Sequence, residues 1–343
     1  MVSGGSYFPM ERAGKSPPPP FSDRWMNHLA EFSPADATCA HRLRLTDPDN
    51  GKKDVINFFP PSPSGGGNPQ SAIVMITSKH NVKVKDIRLL KQAKHRRARG
   101  AYCIEGVRLV EEALRQGAPV RQVAYSQRLE ETERGAELLS TARKTFPGAE
   151  WLYVSDAVLG TVSDTQSHQG VLMVLKKREN NWEELWKGEG LILLLCDLQD
   201  PGNLGTIFRV ADAGGVAGVV LNRGTIDPYS PKVVRASMGS FFRVPFLSGQ
   251  NIEDCLKKLR SRGYRIWATA VRGQPSFWEV DFSRPTAVLF GQEGGGLPQS
   301  LIEAADGSFT IPMTPNADSL NVAMAAGLVV YEAWRQKRLL NNS

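Results

Sequence analysis

The sequence predicts an α/β protein made of a small α/β unit over residues 75–176 and a larger parallel-sheet α/β unit over 190–343, joined by a linker at 177–189. Three observations predict this. Segments of strand and helix character alternate through both units, which implies layered sheets with crossover helices. The run "LILLLCDL" from Leu191 is continuously apolar, as a parallel strand buried on both faces must be. Before residue 75 the chain carries "KSPPPPFSD" and "NFFPPSPSGGGNPQ", where proline and glycine defeat both helix and sheet.

Residues 1–74 are therefore read as a disordered or dispensable tail. No apolar core follows a basic start, as a secretory signal requires, and the scattered acids Glu11, Asp23, Glu31 and Asp36 are unlike a transit peptide. Met75 is read as the true start or as the first residue of the ordered chain.

In the first unit, "DIRLLKQAKHRR" reads as one basic helix with Ile87, Leu90 and Ala93 inward. "EGVRLVEEALRQG" is a helix ended by Gly117. "VRQVAYS", "WLYVS" and "GVLMVLK" read as strands, and "RGAELLSTARKTF" as a helix. Trp182 and Trp186, one helical turn apart in the linker, are placed to pack against a domain. In the second unit the strands are "LILLLCDL", "AGVVLN", "FRVPFL", "YRIWATAV", "TAVLFG" and "SFTIP". Helical patterns lie between most of them, over 204–214, 231–239, 251–262, 298–305 and 318–338.

The formal net charge is +7, and its distribution says more than its size. From Lys79 to Arg99 stand nine basic residues and the single acid Asp86, so this window holds +8 and the rest of the chain about −1. One basic stripe on a nearly neutral protein suits a polyanion. Lys83, Lys85, Arg88, Lys91, Lys94, Arg96 and Arg97 are the candidate nucleic-acid-binding residues. A solvated helix face is the competing reading. No apolar run reaches the roughly 18 residues that span a membrane. Cys39, Cys103, Cys196 and Cys255 show neither metal-ligand spacing nor pairing, which points to a reducing, cytoplasmic setting without structural zinc.

Three motifs carry chemistry. In "LLCDLQDPGNLGTIFRVADAGG", Asn203 reads as an N-cap. Gly205, Thr206, Arg209 and Asp212 share a polar face that suits a phosphate or ribose at a helix N-terminus. The bland alternative is a cap at Asn203 and an Arg209–Asp212 pair. In "FGQEGGGLPQSL", Glu293 follows a buried strand and precedes three glycines, as a hydrogen-bond acceptor or a structural turn. In "TIPMTPNADSLNVAMAAGLVVYEAW", Asp318 or Ser319 caps a long helix with Ser319 and Asn321 at its mouth. Its small residues Ala323, Ala325, Ala326 and Gly327 allow tight packing on its own domain or on a second copy.

In this order and spacing the motifs resemble the SpoU/TrmH family of the SPOUT class, trefoil-knotted RNA ribose 2′-O-methyltransferases. The family's N-x-G-x-x-x-R is met by Asn203, Gly205 and Arg209, and its G-x-E-x-x-G-L by Gly291, Glu293, Gly296 and Leu297. Its I-P-M and S-L-N-V are met by Ile311, Pro312, Met313 and by Ser319, Leu320, Asn321, Val322, with Pro315 where the family usually has glycine. The match covers about residues 190–338. Residues 76–176 are similar to the ribosomal-protein-like substrate-binding domain often attached to such enzymes.

The resemblance implies a trefoil knot in the second unit, a homodimer through it, and S-adenosyl-L-methionine as cofactor with no metal. It implies transfer of a methyl group to a ribose 2′-hydroxyl, with ribosomal RNA as first choice and transfer RNA as second. Arg209 would be the critical catalytic residue, either holding the adjacent phosphate and the developing alkoxide or accepting the proton. Asn203, Glu293, Ser319 and Asn321 would orient it and the ribose. Main-chain groups of Gly291, Ile311 and Leu320 would hold the cofactor. The competing classes are a non-catalytic RNA-binding, ribosome-assembly protein of the same fold and a nicotinamide-dependent oxidoreductase. The latter lacks its glycine fingerprint in "QDPGNLG" and its acid in "VVLNR".

Overall fold

The computed structural model describes residues 42–46, 53–57, 75–165, 168–188, 190–271 and 275–341. Within the segment read as an unfolded tail, β1 (Arg42–Thr46) and β2 (Lys53–Asn57) form a two-stranded sheet. The reading of residues 1–74 as a disordered or dispensable tail is corrected there: "RLRLT", between the proline-rich runs, alternates at the strand period, and "KDVIN" pairs with it without such alternation. The remainder of that segment, Cys39 included, lies outside the described residues.

The next stretch of chain builds a five-stranded mixed sheet. Its elements are β3 (Met75–Ile76), α1 (Val82–Leu89), α2 (Ala93–Arg99), β4 (Ala101–Glu105), α3 (Val107–Arg115), β5 (Val120–Tyr125), α4 (Gln127–Glu130), α5 (Glu133–Thr145), β6 (Glu150–Val154), α6 (Asp156–Val162) and β7 (Val171–Lys176). The strand order is β3-β6-β5-β7-β4, with β7 antiparallel to both neighbours. The single basic helix expected over "DIRLLKQAKHRR" is two helices. The Arg96 guanidinium turns back and donates to the carbonyls of Leu90 (3.0 Å) and Lys91 (2.7 Å), so it terminates α1 where periodicity alone would continue it. Helix α6, capped by the Ser155 hydroxyl, adds to the expected set.

After α7 (Trp182–Trp186), the second sheet is six-stranded and parallel throughout, in the order β10-β9-β8-β12-β11-β13. Its elements are β8 (Leu191–Leu195), α8 (Pro201–Ala213), β9 (Gly218–Asn222), α9 (Pro231–Ala236), β10 (Phe246–Gln250), α10 (Ile252–Ser261), β11 (Arg265–Ala270), β12 (Thr286–Phe290), α11 (Gln299–Glu303), β13 (Gly307–Thr310) and α12 (Val322–Asn341). Every residue of β8 and of β12 is buried, which is why β8 reads as an unbroken apolar run and β12 is apolar after Thr286. The "FRVPFL" strand begins only at Phe246, because Ser240–Phe242 form a 3₁₀ turn. Trp182 and Trp186 stack at 5.0 Å and lie against the core beside Tyr264.

The chain leaves β8 toward β9 and β10 on one side and fills the other side with β11, β12 and β13. The order therefore reverses between β8 and β12, and the crevice at their C-terminal ends is where open parallel sheets place ligands. Helix α12 returns across α8, burying Ala323, Ala326, Val329 and Val330, and a Cβ added to Gly327 would lie 3.9 Å from Val210. The two sheets are joined by ion pairs: Arg96–Asp227 at 2.8 Å, Arg235–Glu105 at 3.1 Å, and Arg243 with Glu112.

Candidate active site

Three loops meet at the switch point. The first follows β8. Asp197 adopts a left-handed φ of 58° and accepts a hydrogen bond from the Asn222 amide at 2.9 Å, while its own N–H donates to Asn222 at 3.0 Å. This clamp fixes the end of β8 against the end of β9. The N-cap is Asp200, not Asn203: the Asp200 carboxylate accepts from the Asn203 N–H at 2.7 Å, and Pro201 opens the helix. The Asn203 side chain is thereby released from capping and faces the other loops. Gly205 is also corrected. A Cβ there would lie 2.3 Å from Ala236 Cβ, so this glycine lets α8 press on α9 and offers no surface to a ligand.

The second loop follows β12. A Cβ on Gly291 would lie 2.1 Å from the Gly296 carbonyl carbon, so only glycine closes this turn. The turn projects Glu293. The third loop follows β13 and ends at α12, whose cap is Asn321 rather than Asp318 or Ser319. The Asn321 amide oxygen accepts from the N–H groups of Ala323 (3.0 Å) and Met324 (3.2 Å).

These side chains form one directed chain of hydrogen bonds. Because its oxygen caps α12, the Asn321 amide must present its NH₂, which donates to the Asn203 Oδ1 at 2.9 Å. Because the Asn203 oxygen is taken, its NH₂ in turn donates to the Glu293 carboxylate. The helix terminus thus fixes both amide orientations and points a donor at Glu293.

Other expected site residues lie outside this network. Arg209 stands on α8 beyond Asn203, exposed, with no hydrogen bond or ion pair among the described residues. It does not pair with Asp212, which is held by Arg243 (2.6 Å) and by the Ser240 hydroxyl (2.9 Å). Ser319 is exposed and makes no hydrogen bond among the described residues. The N–H and C=O groups of Gly291, Ile311 and Leu320 likewise make none, although Gly291 is buried. Cys196, next to the first loop, is buried, and that burial pushes its thiol up to about 12, so it offers no nucleophile at neutral pH.

The basic stripe divides. Arg96 is corrected from a polyanion contact to a structural residue: it is 3% exposed and spent on Asp227 and the end of α1. Lys83 pairs with Glu150, Lys91 with Asp164 at 3.2 Å, and Arg88 donates to Thr161 at 2.9 Å. Among the described residues Lys85, Lys94 and Arg97 have no such partner, and Lys94 and Arg97 are exposed. Sequence reasoning missed Asp197, Asp200 and Asn222. The D-P pair at Asp200–Pro201 was the signal for the helix start, while the left-handed Asp197 left none.

Fold and site define a class: an open parallel α/β domain with converging polar side chains and unpaired main-chain groups at its switch point. The description of the SpoU rRNA methylase family matches residues 190–331, and that of an MRM3-like substrate binding domain matches residues 81–173. A tRNA/rRNA methyltransferase of Synechocystis, itself uncharacterized, is 38% identical over 78% of this chain and 96% of its own length. A 23S rRNA guanosine 2′-O-methyltransferase of Bacillus subtilis is 33% identical over 75% of this chain and 97% of its own. The AdoMet-bound crystal structure of an rRNA methyltransferase from Sinorhizobium meliloti aligns with a TM-score of 0.67 at 34% identity, over 77% of this chain and 98% of that one. The chain belongs to the SpoU rRNA methylase family.

Proposed function

We propose that this protein methylates a ribose 2′-hydroxyl in ribosomal RNA, with S-adenosylmethionine as the methyl donor. The observation that carries the reading is the set of unpaired main-chain groups at Gly291, Ile311 and Leu320, on the strand-end loops beside the Asn203–Glu293–Asn321 chain. Backbone polar groups are almost always paired, and a buried glycine without a partner is a place for a ligand's donors and acceptors. The half-buried Ile311 and the Leu320 side chain, 38% exposed, supply apolar surface beside them, which fits an adenosine.

The cofactor supplies a sulfonium methyl that needs only an aligned oxygen. The chain's residues do the aligning. Arg209, free of any carboxylate, holds the phosphate next to the target ribose and stabilises negative charge as the hydroxyl loses its proton. Arginine stays protonated in proteins, so this role suits it better than that of a base. Asn203 and Asn321 hold Glu293 in place as an acceptor for the ribose edge, and Ser319 contributes its hydroxyl from the same mouth. Lys85, Lys94 and Arg97 supply salt-dependent affinity for the RNA backbone. The 2.9 Å to 3.2 Å commitments of Arg88 and Lys91 leave them lesser parts.

We further propose a homodimer through α12, and a trefoil knot formed by its return, in a cytoplasmic protein. Among the described residues no helix is long and apolar enough to cross a membrane. Met324, Leu328 and Tyr331 recur at helical spacing on α12 and are 59%, 42% and 52% exposed, a stripe that a second copy would cover. Sedimentation at increasing ionic strength reads the dimer directly, and a Leu328→Glu protein that remains dimeric contradicts this interface.

Ligand-induced melting tests the cofactor. S-adenosylhomocysteine at 100 times its dissociation constant stabilises by about 2.7 kcal/mol, and NAD at the same concentration leaves the melting point unmoved. Stabilisation by NAD alone refutes the reading.

A further inference from the structure

We infer that Arg243 is a positioning residue that keeps Arg209 available by sequestering Asp212. This rests on the methyltransferase reading of Arg209, and adds to it a residue outside the motifs.

Arg209 and Asp212 stand three residues apart on α8, the spacing at which a carboxylate and a guanidinium meet on one helix face. Asp212 is therefore the natural quencher of Arg209. The structure shows it fully engaged elsewhere. The Arg243 Nε donates to both of its oxygens, at 3.1 Å and 2.9 Å, and Nη2 donates to Oδ2 at 2.6 Å. The Ser240 hydroxyl adds a fourth bond at 2.9 Å. The hydrogen bonds to Asp212 hold the Arg243 guanidinium above its ordinary range, so its charge is permanent. Its remaining nitrogen, Nη1, reaches Glu112 on α3 of the first sheet, a carboxylate only 7% exposed. One guanidinium thus neutralises the acid beside Arg209 and ties α8 to the RNA-binding part of the chain. Without it, Asp212 would turn to Arg209 and neutralise the positive charge that an RNA phosphate has to approach.

Two roles of Arg243, quencher removal and domain tether, separate by double substitution. Arg243→Ala loses both. Arg243→Ala with Asp212→Asn loses the tether equally but carries no carboxylate to capture Arg209. Glu112→Gln loses only the charged tether and keeps the Arg243–Asp212 pair. The readout is kcat/KM for methyl transfer to a 23S ribosomal RNA transcript, with wild type and Arg209→Ala as reference points. The expected results are a loss of roughly tenfold in Arg243→Ala, recovery to within about threefold in the double variant, and near-wild-type activity in Glu112→Gln. Failure of the double variant to recover, or a Glu112→Gln loss equal to that of Arg243→Ala, overturns the inference and leaves Arg243 a structural tether.

A crystal structure of Arg243→Ala decides the point without any activity. Asp212 within about 4 Å of the Arg209 guanidinium supports the inference. Asp212 still facing Ser240, with Arg209 unpaired, overturns it. Because that readout needs neither RNA nor cofactor, a failure of the methyltransferase reading remains distinguishable from a failure of this one. Glu112→Gln is nearly isosteric and keeps the Gln116 partner at 3.2 Å, so it tests the tether even if Arg243→Ala does not fold.

Discussion

Replacing Asn203 by Asp probes the hydrogen-bond chain with a change of one atom type. The Asn203 NH₂ donates to Glu293 and its oxygen accepts from Asn321. Aspartate keeps the acceptor and turns the donor into a second carboxylate. A hydrogen bond to a charged acceptor is worth about 1.5–3 kcal/mol, and the exposure of Glu293 takes this toward the lower end. A carboxylate in the first turn of α8 returns about 0.3–1 kcal/mol through the helix dipole. The net loss is about 0.5–1.2 kcal/mol, a fall in melting temperature of roughly 1–4 °C for a protein of this size. The sign of the pH dependence follows. Two facing carboxylates raise the folded-state pKa of the pair above its unfolded value. The deficit is present at high pH and shrinks as falling pH places one proton between them. Differential melting of wild type and Asn203→Asp at about pH 8 and about pH 5 therefore shows a larger gap at the higher pH. Equal gaps at both pH values, or a variant more stable than wild type at the higher one, refute the directed chain.

Gly291→Ala drives a Cβ into the Gly296 carbonyl, 2.1 Å away, and the loop must move. It costs about 1–3 kcal/mol and removes the melting shift given by S-adenosylhomocysteine. A fully retained shift contradicts the placement of the cofactor against this turn. Lys94→Ala and Arg97→Ala each lower the salt slope of RNA binding by about 1 without changing the melting point. Arg96→Ala does the opposite: removing the buried guanidinium strips the half-buried Asp227 of its partner, costs about 1–3 kcal/mol and leaves the slope alone. A slope change in Arg96→Ala would restore it to the RNA surface.

The parallel sheet was legible because burial on both faces writes itself as apolar runs, and β8 and β12 are buried at every position. Each motif alone was ambiguous, and the site residues were legible only through the order and spacing in which the three motifs together resemble the SpoU/TrmH family. Long-range choices were not. Nothing local says that Arg96 turns back onto α1 and splits one basic helix into two, since its partner Asp227 lies 131 residues away. The same holds for Asp212, whose neighbour Arg209 satisfies every helix-spacing argument and yet loses to Arg243, 31 residues on. The cap at Asn203 was misplaced by three residues because Asp200 and Asn203 are both good caps, and the proline that follows Asp200, suited to the first helical position, was the signal that separates them.

The most direct test is methyl transfer from labelled S-adenosylmethionine to separate pools of unmodified ribosomal and transfer RNA, with Arg209→Ala beside the wild type. The account predicts label in the ribosomal pool, recovered as a 2′-O-methylated nucleotide, and none with the variant. Label confined to transfer RNA contradicts the substrate, and undiminished label with Arg209→Ala contradicts the site.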